Sequence, residues 1–411
     1  MKYPYNQFAF VLLIAFFIVS CGKNDDPIVE EPLFTYLESE KQVSTIPRSS
    51  AQFLFSALAA QYDDDGTMDN EVSSGALVYK VAYKTTFEGE ALMVSGLVSV
   101  PDQPGNYPVI SFQNGTNVEY SQAPTAKPGD NLFVVLESFA SLGFIVVIPD
   151  YPGFGDSKQV FHPYLEKDNM VPSLVDLLKA TREFVSQDHI VASLNDDLYL
   201  MGYSLGGWAT LQLQREIETK GLEDYQLKAS SCGAGPYNLN RLNELIVGKE
   251  TYPMPYFLAF LMQAYHVHGE FSNPLNTIFA DEYAAKIPGL FNGINTGVEI
   301  NAQLTTNVTD LFHPDFRAGY ESGATYQAVQ EALSKNSVEA WNTTTPTRLF
   351  HGENDTFVAV ELSTQMEQDF HDLGVSSNVL REVVLPDVDH QSAILPFGIK
   401  TINWFINLNN N

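Results

Sequence analysis

Residues Leu198 to Gln214 read LYLMGYSLGGWATLQLQ. The apolar run Leu198 to Met201 ends in Gly202, Ser204 follows, and Gly206 and Gly207 open a segment with helical spacing. The pattern predicts a strand, a sharp turn and a helix, with one hydroxyl at the turn. Glycines two before and two after Ser204 give the backbone room to hold that residue strained with its Oγ exposed. The same turn places the serine at a helix N-terminus, so the amide of Leu205 is available to a developing oxyanion.

A serine hydroxyl is a poor nucleophile unless a base takes its proton, and the base needs a partner to orient it. Of the eight histidines, His390 follows the apolar run LREVVLP near the end of the chain, in the loop DVDHQSAI before a last helix. Upstream, FHGENDTFV has the spacing G-x-x-D-x-x-V and places Asp355 just past a strand end. The candidates occur in the order Ser204, Asp355, His390. Glu353, Asp387 and Asp389 are alternative acids, and His351 lies beside Asp355 inside the same expected strand.

Away from these loops the chain alternates between two periods. ALVYKVAYKTTF and ALMVSGLVSVP predict a strand pair, and short apolar runs recur in YPVISFQNG, FIVVIPDYPG, LKASSCGAG, TRLFHGEND and REVVLPDVDH. Between them, SLVDLLKATREFV sets Leu174, Leu177, Leu178, Thr181, Phe184 and Val185 on one helical face. Such alternation predicts an α/β fold, a largely parallel sheet with helices on both sides. Ligands of such sheets bind beyond the carboxyl ends of the strands. One interval breaks the rhythm: from about 238 to 344, including the aromatic stretch YPMPYFLAFLMQAYHV, helical patterns replace strands. This insertion is expected over the carboxyl edge of the sheet as a lid. Nearer the start, SSAQFLFSALAAQY predicts a short helix with Phe53, Leu54, Ala57 and Leu58 on one face.

Fifty acidic against 22 basic residues give a formal charge of -28 in a chain of 411 residues, which makes nucleic acid an improbable partner. The stretch Phe8 to Cys21, FAFVLLIAFFIVSC, is short for a spanning helix, which needs about 20 apolar residues. Its end, IVSCG, resembles the lipobox of bacterial lipoproteins. That resemblance implies a signal peptide over 1–21, lipidation of Cys21, and anchorage in the cell envelope, at the outer membrane. The alternative is an ordinary cleaved signal peptide. Residues 22–48, rich in charge and proline, read as a tether, with the folded domain over 49–411. With Cys21 carrying lipid, Cys232 has no intrachain partner and reads as a small buried strand residue.

Together GYSLGG, DYPGFGDS, GAGPYNL, HGENDTFV and DVDH are similar to the motifs of the α/β-hydrolases, in particular the secreted lipases and esterases with a helical lid. The resemblance runs from about Ala76 to Leu408. It implies a serine esterase with Ser204, Asp355 and His390 as its triad, no metal and no cofactor, acting on a small-molecule or lipid ester. Family members commonly carry His-Gly after the third core strand, and the next residue gives the second oxyanion amide. Here the segment reads FQNGT, so Asn114 stands where the histidine usually is and the donor carried over is the amide of Thr116. A peptidase or amidase with the same triad and a non-catalytic binding lipoprotein are the other readings. Cleavage of esters against peptide amides separates the first, and labelling of Ser204 by a fluorophosphonate the second.

Overall fold

The computed structural model describes residues 35–62, 68–320 and 323–410, which form one unit. Cys21, the expected signal peptide and the first part of the expected tether lie outside the described residues.

Period-two alternation builds the central sheet. Strand β1 is Leu37–Ile46, β2 Ala76–Phe87, β3 Glu90–Pro101, β4 Gly105–Gln113, β5 Ile145–Pro149, β6 Ala192–Tyr203, β7 Gln226–Gly233, β8 Thr347–Gly352 and β9 Leu380–Leu385. Their order across the sheet is β1-β2-β3-β5-β4-β6-β7-β8-β9. The pairs β1 with β2, β2 with β3 and β3 with β5 are antiparallel, and the remainder are parallel. The β2 and β3 strands meet at a two-residue turn, Glu88 and Gly89, with φ of 49° and 82°, the sign a tight hairpin needs at both positions.

Each face of the sheet has its own core. Along β6, Leu198 and Leu200 enter one apolar cluster while Tyr199 and Met201 enter the other, as alternate side chains of a doubly covered strand must. The first cluster receives α3 (Lys167–Val185) and α4 (Leu205–Lys220). The second receives α1 (Arg48–Tyr62) and α2 (Asn131–Ser138). The chain leaves β4 to one side to form β5 and returns to its other side as β6, so the direction of winding reverses at β4. At such a reversal the loops after adjacent strands diverge and open a crevice.

Between β7 and β8 the chain is helical: α5 (Leu239–Val247), α6 (Pro255–Val267), α7 (Asp281–Leu290), α8 (Gly297–Gln303), α9 (Val308–Leu311), α10 (Pro314–Gly319) and α11 (Gln327–Asn336). The end of this insertion is fastened to the main domain by Asn336, which is fully buried. Its carbonyl accepts from Trp208 Nε1 at 2.9 Å and its Oδ1 accepts from the amide of Lys167 at 3.0 Å. Helices α12 (Glu361–Asp372) and α13 (Ile394–Asn409) complete the two layers, α12 in the first cluster and α13 in the second.

Two features differ from expectation. The tether expected over 22–48 contains β1: Leu37–Ile46 is an edge strand, so the folded domain begins well before residue 49. Glu183 of α3 holds its start by accepting from the amides of Thr35, Tyr36 and Leu37 at 2.8, 2.9 and 2.6 Å. In α1 the buried face is Ala51 and Phe55, and Phe53 is 79% exposed. The i, i+4 pair 51 and 55 faces the sheet because Phe55 stacks on Phe139 at 6.2 Å.

Candidate active site

The turn between β6 and α4 fits only around glycine. A Cβ on Gly206 would lie 1.9 Å from the carbonyl oxygen of Gln113, and one on Gly202 would lie 2.3 Å from that of Gly206. With the backbone packed that closely, Ser204 is forced to φ 61° and ψ −122°, a conformation L residues rarely hold. The strain is secured by hydrogen bonds: the amide of Ser204 donates to Gly233 at 2.8 Å, and the serine carbonyl accepts from Gly207 at 2.9 Å. Below the turn, Thr210 Oγ1 donates to Gln113 Oε1 at 2.7 Å, joining α4 to β4.

Two distant loops arrive at the serine. His390 Nε2 lies 2.9 Å from Ser204 Oγ, and His390 Nδ1 lies 2.6 Å from Asp355 Oδ2. The other carboxylate oxygen, Oδ1, accepts from the amides of Phe357 and Val358, both at 2.9 Å. Asp355 has no side-chain exposure, and burial opposes its ionisation. The hydrogen bonds from His351 and His390 outweigh that effect and hold the carboxyl well below the usual range. The histidine loop is itself anchored, since Tyr203 Oη donates to the carbonyl of His390 at 2.8 Å.

The competing acids lie elsewhere. Asp389 is exposed and caps its own turn, accepting from Ser392 N at 2.8 Å and Gln391 N at 3.1 Å. Glu353 and Asp387 are exposed, and Glu353 accepts from the amide of Asp387 at 3.2 Å. His351 sits in β8, fully buried, as a strand residue should. It also touches Asp355, with Nε2 3.3 Å from Oδ2.

Leu205, buried, begins α4 directly after Ser204, where amides have no partner within the helix. On the other side, the loop after β4 brings Gly115 against the elbow: a Cβ there would lie 3.6 Å from the carbonyl oxygen of Tyr203. Asn114 is buried, and neither polar atom of its side chain meets a hydrogen-bond partner among the described residues. Two tyrosines brace this loop instead. Tyr151 Oη donates to the carbonyl of Asn114 at 2.9 Å, and Tyr164 Oη lies 2.8 Å from Thr116 Oγ1. Tyr151 belongs to the DYPGFGDS turn, whose shape His162 secures by donating from Nδ1 to the carbonyl of Pro152 at 2.8 Å. Burial lowers the His162 imidazole to about 4, so it is neutral there. Sequence reasoning passed over Tyr164 and His162; the only signal for them was an aromatic cluster, FHPY, soon after the DYPG turn.

Ser204, His390 and Thr116 line a cavity of about 220 Å³. Most of its other walls are apolar, contributed by α2, α13 and the start of the insertion, among them Leu136, Met254, Phe257 and Ile399. No group of three or more His, Cys, Asp or Glu among the described residues is placed to hold a metal ion. Cys232 is a free, buried thiol in β7, and burial pushes its ionisation well above the ordinary value.

The sequence pattern of the alpha/beta hydrolase family matches residues 129–398, and the chain belongs to that family. No curated protein matches it in sequence. Among solved structures it is similar to a Legionella pneumophila protein assigned to the hydrolases, at 25% identity and a TM-score of 0.80, over 91% of this chain and 98% of that one. It is also similar to the rice cell wall degrading esterase LipA from Xanthomonas oryzae, with 24% identity, a TM-score of 0.73, and coverage of 91% and 97%. Candida antarctica lipase A in its closed state shares the fold at 14% identity and a TM-score of 0.63, over 92% of this chain and 85% of that one.

Proposed function

We propose that this chain is a serine hydrolase of carboxylic esters. The observation that carries the reading is the continuous proton path from Ser204 Oγ through His390 to Asp355, with contacts of 2.9 and 2.6 Å, opening on a largely apolar cavity. In the first half-reaction His390 Nε2 takes the hydroxyl proton as Oγ bonds to the ester carbonyl carbon. The carbonyl oxygen gains the electron pair, and the amides of Leu205 and Thr116 donate to it. As the tetrahedral intermediate collapses, the bond to the alkoxy oxygen breaks and Nε2 returns its proton to the leaving alcohol. Water repeats the sequence on the acyl-enzyme and releases the acid. Asp355 keeps Nδ1 protonated and steadies the imidazolium.

The reading is tested by replacing Ser204 with Ala and measuring turnover of a nitrophenyl acetate. Loss on the order of 10⁶-fold, the scale seen when a triad serine is removed elsewhere, is the expected result. A variant with normal turnover overturns the assignment, and faster cleavage of peptide amides than of matched esters turns it toward an amidase.

The helical insertion, reaching the cavity through Met254 and Phe257, acts in this reading as the lid. The lipobox-like IVSCG motif supports a lipid anchor on Cys21 and a cell-envelope location. Incorporation of labelled palmitate that a Cys21→Ala variant abolishes is the matching test.

A further inference from the structure

The cavity beside Ser204 is walled partly by the insertion, through Met254, Tyr256 and Phe257, and partly by the face of the sheet covered by α2 and α13. Val135 and Leu136 line it from α2, Leu395 and Gly398 from α13, and Phe112 and Met201 from strands β4 and β6. Phe112 and Met201 belong to the core cluster of that face and are 4% and 0% exposed, so this end is closed. Every residue that α2 and α13 contribute to the wall is apolar. A sugar hydroxyl or a charge placed there would lose its water without gaining a partner, whereas a hydrocarbon loses nothing. The volume, about 220 Å³, lies below the range of roughly 300–1,000 Å³ usual for drug-sized ligands, which suits one chain and not a bulky ring system.

Gly398 adds an independent observation. It sits inside α13, where glycine is less favourable than alanine by about 0.5–1 kcal/mol. Its φ is not positive, and a Cβ built on it meets nothing within 4 Å. Neither backbone conformation nor protein packing requires glycine at this position, yet it leaves space on the cavity wall.

We propose that this slot between α2 and α13 is the acyl site and takes an unbranched fatty acyl chain of short to medium length. The inference rests on the ester reading above. A closed slot suits the acyl group because that group stays covalently bound to Ser204 while the alcohol departs and water enters. An alcohol lodged at the closed end would have to leave past the acyl-enzyme.

The test uses the full chain with two series of nitrophenyl-type and alkyl esters. In one, the acid lengthens from acetyl through butyryl, hexanoyl and octanoyl to dodecanoyl; in the other, the acid stays acetyl and the alcohol lengthens. In the acyl series kcat/KM is expected to rise by about fourfold per methylene until the slot is full, then fall. Gly398→Leu and Val135→Phe narrow the slot from two different helices and are expected to move the optimum to shorter acids. Should one variant fail to fold, the other carries the test, with fluorophosphonate labelling counting active sites and exposed Phe53→Ala as the control whose profile stays put. Acetyl hydrolysis with an acyl profile unmoved by either folded variant overturns the slot and leaves the ester reading standing. So does a shift confined to the alcohol series. A wild-type chain inert toward every ester, acetyl included, overturns the ester reading and the slot with it.

Discussion

His351 Nε2 lies 3.3 Å from Asp355 Oδ2, the same oxygen that His390 Nδ1 approaches to 2.6 Å. His351 Nε2 also lies 2.9 Å from the carbonyl of Val358, and its Nδ1 lies 2.6 Å from Ser363 Oγ. A carbonyl and a carboxylate only accept, so the neutral ring carries its proton on Nε2, and Nδ1 accepts from the serine hydroxyl. Asp355 is therefore held ionised from two sides. A depressed carboxyl stabilises the fold above the ordinary aspartate range, and that stability disappears as pH falls through the folded-state value.

Replacing His351 by Phe removes one of the two imidazole donors and leaves His390 and the amides of Phe357 and Val358, so the carboxyl of Asp355 rises toward its ordinary value. Acid unfolding followed by circular dichroism is expected to begin at a higher pH than in the wild type. At neutral pH the loss, with Ser363 Oγ and the Val358 carbonyl left unpaired, is about 1–3 kcal/mol. Superimposable acid-unfolding curves would show that His351 does not support Asp355.

Tyr164 and Thr116 form the second pair with a consequence for rate. Their hydroxyls are 2.8 Å apart, and Thr116 carries the amide proposed for the oxyanion. Tyr164→Phe keeps the ring, which stacks on Phe260 at 4.7 Å, and deletes only the bond to the loop. Removal of a whole oxyanion donor costs about 10²–10³ in kcat, and a loosened one should cost less, about tenfold. The expected signature is a lower kcat at nearly constant KM. A change in KM alone, or in thermal stability alone, would assign Tyr164 to packing.

What the sequence disclosed follows from how local each cause is. The β6 strand, Ser204 and α4 are legible because an apolar run and three glycines sit within a few residues of the serine. The loops of Asp355 and His390 are legible because each follows an apolar strand directly. Strand β1 is not, because its edge position leaves polar residues on both faces and its start is secured by Glu183, far along the chain. The face of α1 is not legible either, because helical spacing allows two registers and contact with Phe139 selects the one containing Phe55. Tyr164 and His351 act through contacts that no spacing rule encodes.

Ser204 stores strain that glycine would release. At φ 61° and ψ −122° the serine Cβ costs about 1–3 kcal/mol, while glycine adds roughly 0.5–1 kcal/mol of unfolded-state entropy. Ser204→Gly and Ser204→Ala both lack the proposed nucleophile, so activity does not separate them. The glycine variant is expected to melt at the higher temperature in differential scanning calorimetry. A lower melting temperature for the glycine variant would mean that the elbow is not strained.

Asp150 gives a pH dependence of opposite sign to that of Asp355. It is fully buried, and desolvation raises its carboxyl to about 6 despite hydrogen bonds from Ser95 Oγ, Thr125 Oγ1 and the amide of Thr125. An acid with a raised folded-state value contributes full stability below its unfolded value, and this is lost as pH rises through the folded one. In the unfolded chain Asp150 ionises near 3.8, so the loss falls between that pH and about 6. At 1.36 kcal/mol per pH step, the total is about 3 kcal/mol. Asp150→Asn has no charge to bury, so its stability relative to the wild type should improve by that order between pH 4 and pH 7. The other carboxylates titrate equally in both proteins and cancel in the comparison. Urea unfolding of the pair at several pH values measures the difference directly, and a difference independent of pH would mean that Asp150 is not held protonated by burial.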